Sequence, residues 1–307
     1  MKPKTCSLTP WFGAEVLGVD LAGDLSDDLL KHLRWLHHEH SVLLFRDQRL
    51  EPAAQARLAQ RFGWPKVETR KQFNMVDYPE VSTIGNVTNE QGKSLAFFAK
   101  NGLNWHTDGT SACHVNAVTF LYAVEVPKHG GDTLYCSTAE ACSTLSEDLK
   151  ATARGISVLC SFHAHNDQII ETDPKSHIPL TAEERAALPP VWHRIVQTHP
   201  VTRREVLYLN QDPLEFKGIA YDEGLELVKA LVAHATQADK VYRHRWRPGD
   251  LVMWDNHSTL HSTTDTEHYI NDRRLMHRSF VYTLPTERPI QNLDRFNKLF
   301  LNSETCS

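Results

Sequence analysis

The chain has 307 residues, 41% hydrophobic and 23% charged, which is ordinary for a globular protein and enough to bury a sizeable core. A formal charge of -5 leaves no basic footprint and argues against nucleic acid as the main partner. No apolar run approaches the roughly 18 to 20 residues that span a bilayer, and Met1-Lys2-Pro3-Lys4-Thr5-Cys6 has no apolar signal core behind it; no membrane partner and a cytoplasmic location are expected.

Helical periodicity over Leu29 to Leu36 follows Ser26-Asp27-Asp28, a run that favours a helix start, and Ser41 to Phe45 reads as a short buried strand. Pro52 opens a helix through Phe62 that Gly63 stops. Strands are predicted over Ala117 to Val126, Thr133 to Cys136 and Ile156 to Phe162, with a helix from Thr138 to Ala153. Thr181-Ala182-Glu183-Glu184 matches a capping box, and Pro189-Pro190 ends that short helix. Ile195 to Pro200 and Val206 to Asn210 read as a hairpin around Thr202-Arg203-Arg204. An amphipathic helix covers Gly224 to Thr236, striped by Leu225, Leu227, Val228, Leu231 and Val232. Strands follow at Val241 to Trp246, Leu251 to Trp254 and Leu275 to Thr283, and the tail after Pro285 is polar and poorly patterned.

Helices interrupt these strands without alternating with them, and no repeat or linker divides the chain. The expected fold is mixed α/β and mainly antiparallel β: a jelly-roll (double-stranded β-helix) core decorated with helices, as one domain over 1–307. Six cysteines without a Cys-x-x-Cys pair read as thiols, mostly buried.

The chemistry gathers at Asn104-Trp105-His106-Thr107-Asp108-Gly109 and, far downstream, at His261. His106 and Asp108 are two apart, so strand spacing would point them to one side. Two histidines and one carboxylate that leave three positions open are the ligand set of non-haem Fe(II) oxygenases. The chain has eighteen histidines, so other close pairs compete. His38 and His40 read as a solvated helix end, whereas His163 and His165 would share a face at strand spacing; neither pair has a matching carboxylate. Gly130-Gly131-Asp132-Thr133, taken alone, reads as a hairpin turn. Arg274 and Arg278, four apart on the last strand, share a face and suggest a site for anionic groups; the other reading is a solvated sheet face.

Together and in order, Trp105-His106-Thr107-Asp108, Gly130-Gly131-Asp132-Thr133, Trp254-Asp255-Asn256, His261 and Arg273 to Arg278 resemble the Fe(II)/2-oxoglutarate-dependent dioxygenases of the taurine and 2,4-dichlorophenoxyacetate dioxygenase (TauD/TfdA) family. The resemblance runs from about Thr9 to Leu284, and the stretch Val241 to Asn256 is closer to the phenoxyacetate branch. It implies that His106, Asp108 and His261 hold Fe(II). It also implies that Thr133 and Arg274 bind the distal carboxylate of the co-substrate 2-oxoglutarate, and that Arg278 takes the acidic group of the substrate. With O2, such enzymes hydroxylate or otherwise oxidise a small molecule while 2-oxoglutarate yields succinate and CO2. Related halogenases lack the carboxylate at the position of Asp108, so its presence argues for oxygenation.

Three departures bear on the substrate: His257 where the family often has Arg, Gly102 in place of a polar residue, and the apolar Ala96-Phe97-Phe98-Ala99-Lys100. They favour a small carboxylate or other acid with an apolar body over taurine. A homo-oligomer is compatible with the chain. A zinc-dependent hydrolase could use the same His/Asp/His set, but has no need of an arginine opposite Thr133. A non-catalytic jelly-roll binding protein would have no need of the intact triad.

Overall fold

Strand alternation and cap chemistry account for most of the architecture. The computed structural model describes residues 2–68, 71–97, 104–112, 115–172, 179–210, 212–264 and 271–283. Strands β1 (Lys4–Ser7) and β2 (Ala14–Leu17) lead into helix α1 (Asp27–His40) and β3 (Val42–Phe45). Ser26 caps α1 by accepting from the Leu29 N–H, and the helix ends where Ser41 turns left-handed. Helix α2 (Pro52–Phe62) starts on its proline and stops at Gly63, where a Cβ would lie 2.2 Å from the Tyr282 carbonyl oxygen. Next come β4 (Trp64–Lys66), β5 (Ser82–Gly85), the long β6 (Ala117–Glu125) and β7 (Thr133–Ser137).

The helical stretch expected from Thr138 to Ala153 is two helices, α3 (Thr138–Ser143) and α4 (Glu147–Arg154), because Ser146 caps a new start. Strand β8 (Ser157–Cys160) is shorter than expected, since Phe162 already begins α5 (Phe162–Thr172). Helix α6 (Ala182–Ala187) carries the expected capping box at Thr181 and Glu184. Then follow β9 (Val191–Arg194), β10 (Val196–Thr198), β11 (Glu205–Leu207), β12 (Glu215–Lys217) and α7 (Tyr221–Ala235). Strands β13 (Val241–His244), β14 (Leu251–Asp255), β15 (Thr259–Thr263) and β16 (Leu275–Tyr282) close the described chain. Strands β10 and β11 make the expected hairpin.

The large sheet runs β1-β2-β3-β14-β6-β16-β4, with β5 also on β16; all its pairs are antiparallel except β2 with β3. A smaller sheet, β13-β7-β15, is antiparallel throughout. This is the mainly antiparallel jelly roll expected from the sequence. Period-two alternation divides each strand between two cores. Leu251 and Met253 of β14, with Phe120 and Tyr122 of β6, pack under α1 and α2 against Leu33, Leu58 and Phe62. Val252 and Trp254, with Leu121 and Ala123, face Tyr135 of the small sheet instead. Each fully buried Leu or Phe contributes roughly 1.5 to 3 kcal/mol.

The Gly130-Gly131 turn corrects an expectation. It joins no hairpin, because β6 belongs to the large sheet and β7 to the small one, so the turn carries the chain across the sandwich. Both glycines have positive φ, 76° and 69°. Among the described residues no helix is long and apolar enough to cross a membrane.

Candidate metal centre and its surroundings

His106 and His261 meet through their backbones. His106 N–H donates to the His261 carbonyl (2.9 Å) and His261 N–H to the His106 carbonyl (2.8 Å), an isolated antiparallel bridge. This differs from the expected strand: apart from that bridge His106 lies in no ladder, and Asp108 already sits in a turn with Gly109 at φ 82°. The side chains still converge. The imidazole rings are 4.1 Å apart between centroids, and the ligand atoms of His106, Asp108 and His261 all lie within 4.8 Å of one another.

The donor set suits a divalent metal. His106 Nδ1 is 2.7 Å from the Asn104 carbonyl oxygen, which can only accept, so Nδ1 carries the proton and Nε2 keeps its lone pair. His261 Nε2 faces Asp108 at 3.9 Å. Burial pushes both imidazoles below their ordinary range, His261 to about 3 with His106 adding to the effect, so both rings are neutral donors. Burial opposes the charge of Asp108, but Arg278, His261 and His106 outweigh it and hold the carboxyl well below the usual carboxylate range.

A second cluster, His38, His199 and Asp255, also brings three such atoms within 4.8 Å. Its tautomer differs. His199 Nδ1 accepts from the Val201 and Thr202 N–H groups (3.2 and 3.1 Å), so Nε2 carries the proton and donates to Asp255 at 2.8 Å. His199 therefore has no lone pair left for a metal, and its pair with Asp255 is a buried hydrogen bond. The cluster corrects the expected solvated end of α1: His37 is buried, and His38 lies 5.7 Å from the His199 ring.

The Trp254-Asp255-Asn256 motif supports Asp108 from behind. Trp254 Nε1 donates to Asn256 Oδ1 (2.9 Å), Asn256 Nδ2 donates to Thr119 Oγ1 (2.9 Å), and Thr119 Oγ1 donates to Asp108 Oδ2 (2.8 Å). Sequence reasoning passed over Thr119. Its signal is modest: Thr119 is the polar member of the inward set Thr119, Leu121, Ala123 on a mostly apolar strand.

Thr133 and Arg274 lie on the same inner side, at the Gly130-Gly131 end. Arg274 is 5% exposed, which rejects the solvated-face reading. A Cβ at Gly131 would come within 3.0 Å of Pro127 and 3.4 Å of Arg274 Cδ and Nε, so the glycine makes room for that side chain. Trp246 Nε1 donates to Thr133 Oγ1 at 3.0 Å, both groups being buried. With that lone pair used, the hydroxyl acts as a donor, and it faces the Tyr135 hydroxyl on the same strand.

Arg278 is already partnered. Its Nη2 is 2.9 Å from Asp108 Oδ2, and its Nη1 bonds Glu68 Oε1. Lys66 Nζ is 3.7 Å from Glu68 Oε2. Both cations lie over the Phe280 ring, each 5.5 Å from its centroid. Neither Lys66 nor Glu68 was anticipated, because Lys66-Val67-Glu68 carries no motif and its partners are remote in sequence.

His163 and His165 lie on α5, not on a strand, so they do not share a face. His165 Nδ1 pairs with Asp212 at 3.1 Å. His257 is buried, its ring nitrogens 3.1 and 2.9 Å from the amide oxygens of Asn116 and Gln197. Phe97 extends the edge of β5 and its ring is 6.1 Å from that of Phe73, whereas Phe98, Ala99, Lys100 and Gly102 lie outside the described residues. Of the cysteines, Cys136, Cys142 and Cys160 are buried and free, but Cys6 is exposed.

Comparison with known proteins agrees with this site. The family model described as taurine catabolism dioxygenase TauD, TfdA family matches residues 4–280. The chain is 34% identical over 263 residues to the alpha-ketoglutarate-dependent 2,4-dichlorophenoxyacetate dioxygenase of Cupriavidus pinatubonensis, covering 83% of this chain and 89% of that one. To the pentalenolactone F synthase of Streptomyces avermitilis it is 28% identical over 264 residues, covering 81% and 85%. It is also similar to the crystal structure of AAD-2 in complex with Mn(II) and N-oxalylglycine, with a TM-score of 0.75, 27% identity and coverage of 92% and 98%. The chain belongs to the taurine catabolism dioxygenase TauD/TfdA family and, with it, is a dioxygenase dependent on Fe(II), 2-oxoglutarate and O2.

Proposed function

We propose that this protein oxidises a small anionic substrate with an apolar body. His106, Asp108 and His261 hold the iron, Thr133 and Arg274 the distal carboxylate of 2-oxoglutarate, and Arg278 the acidic group of the substrate. The observation that carries the reading is the tautomer of His106. Its Nδ1 proton is committed to Asn104, which aims the Nε2 lone pair into the cluster with Asp108 and His261. When bound, iron with 2-oxoglutarate and O2 supplies the oxidant, at the cost of converting 2-oxoglutarate to succinate and CO2.

The chain's own groups supply position and charge. Thr133, oriented by Trp246, donates to a carboxylate that Arg274 neutralises, while Asn256 and Thr119 hold the Asp108 carboxylate in place. Phe280, 2% exposed, lies under Arg278 and Lys66 and fixes where the two cations stand. Relatives named for phenoxyacetate and phenoxypropionate support an acid with an aromatic body, and those named for sulfate esters and sulfonates support an anion more generally. Family membership favours oxidation over zinc-dependent hydrolysis on the same triad. The unbridged thiols of Cys6, Cys136, Cys142 and Cys160 suit the reducing cytoplasm.

The test is substrate-dependent succinate formation on a panel of carboxylates, sulfonates and phosphonates, with matched kinetics on an acid and its methyl ester. The acid is expected to turn over far faster. Equal rates would remove Arg278 from substrate recognition.

A further inference from the structure

Four charged side chains meet on the substrate side of the metal position. Arg278 lies between Asp108 and Glu68, and Lys66 stands on the far side of Glu68. All four side chains are less than a third exposed, so their charges are only partly screened by water. The backbone of Glu68 is anchored, its carbonyl accepting from Asn74 Nδ2 at 3.0 Å. The four formal charges cancel. In the loaded site they no longer do, because Asp108 then serves the metal.

The balance that follows decides what the pocket can take. A divalent metal with Asp108 and two neutral histidines carries one positive charge; Arg274 adds another, and dianionic 2-oxoglutarate neutralises both. Among the described residues of this cluster Lys66, Arg278 and Glu68 remain, with one positive charge in excess. A singly charged anion cancels it, whereas a doubly charged one brings a surplus negative charge next to the Glu68 carboxylate.

We propose that Glu68 is a specificity-determining residue: by holding Arg278 and Lys66 together it lowers the positive charge of this described cluster to one, which selects a monoanionic substrate over a dianionic one. Glu68 also gives Arg278 a partner when Asp108 turns to the metal, so that the guanidinium does not compete for that carboxylate. This rests on the assignment of Asp108 to the metal and Arg278 to the substrate made above.

Two probes of matched shape test the charge rule: benzylsulfonate, a monoanion, and benzylphosphonate at a pH where it carries two charges. Binding is read without turnover, from the change each causes in the weak visible band of the anaerobic Fe(II)–2-oxoglutarate complex. The wild type is expected to bind the sulfonate about tenfold more tightly than the phosphonate, and Glu68→Gln to reverse that order by a similar factor. Lys66→Met should weaken the sulfonate about tenfold, and the double variant Lys66→Met/Glu68→Gln should restore it, since the net charge returns to its starting value. A merely structural loss at Glu68 would not be repaired by a second loss at Lys66.

Mn(II) alone, followed by electron paramagnetic resonance, gives an independent arm: Glu68→Gln should weaken it and the double variant recover it. Unchanged anion selectivity in Glu68→Gln, or a double variant worse than either single one, overturns the proposal. If His261→Ala leaves Mn(II) binding intact, or neither anion binds the wild type, the underlying assignment of the site falls, and this proposal with it.

Discussion

Arg278 and the metal-side carboxylate Asp108 form a direct ion pair, with Nη2 2.9 Å from Oδ2, the oxygen that also accepts from Thr119. The arginine is held between this carboxylate and that of Glu68. Removing it takes a competing cation away from Asp108 and, in the role proposed for it, a donor away from the substrate. Arg278→Ala should bind Mn(II) at least as tightly as the wild type, yet raise the apparent KM for the substrate roughly ten- to a hundredfold. Succinate should then form in excess over oxidised product. Comparing the two yields checks this, and tight coupling in the variant would count against the assigned role.

His106→Ala and His261→Ala should each abolish metal binding while the fold survives, because each removes one neutral imidazole donor from a three-ligand set. Circular dichroism reports the fold, and Mn(II) titration the site. Full succinate production by either variant with added Fe(II) would show the ligands to be elsewhere.

The co-substrate end should respond in graded fashion. Arg274→Ala loses the charge and should raise the KM for 2-oxoglutarate roughly ten- to a hundredfold. Trp246→Phe removes only the indole N–H that orients Thr133, a hydrogen bond worth about 1 kcal/mol, so the rise should be about fivefold. Gly131→Ala places a Cβ against Pro127 and Arg274 at a positive φ and should both destabilise the fold and raise the KM. An Arg274 variant with an unchanged KM would separate it from 2-oxoglutarate.

Acid stability has a definite sign. Burial lowers His37, His193 and His277 from 6.5 to about 4, so these rings stay neutral in the folded protein while the unfolded chain takes up protons below about pH 6.5. The unfolded state then binds more protons, and stability falls as the pH drops from 6.5 toward 4, with little change above 7. Each fully buried ring contributes up to about 3 kcal/mol to that loss. Urea midpoints measured across this range, with chelator present, should fall steadily; a midpoint constant down to pH 5 would mean that these imidazoles titrate freely.

Sequence by itself determined whatever rests on local chemistry. The start of α1 at Ser26, the limits of α2 at Pro52 and Gly63 and the capping box of α6 depend on side chains within a few residues of one another, and all appear where expected. The candidates His106, Asp108 and His261 were legible because iron chemistry demands those residue types in few arrangements, and five motifs in order are hard to meet by chance. Tertiary structure alone decided how they meet: the His106–His261 bridge, the crossing of the Gly130-Gly131 turn between sheets, and the Glu68–Arg278–Asp108 chain of charges. The same holds for His38, which pattern reading placed at a solvated helix end and which lies against the His199 ring. Each of these depends on sheet register between strands remote in sequence, and shifting one strand by a single residue would change every side-chain partner without altering any local propensity.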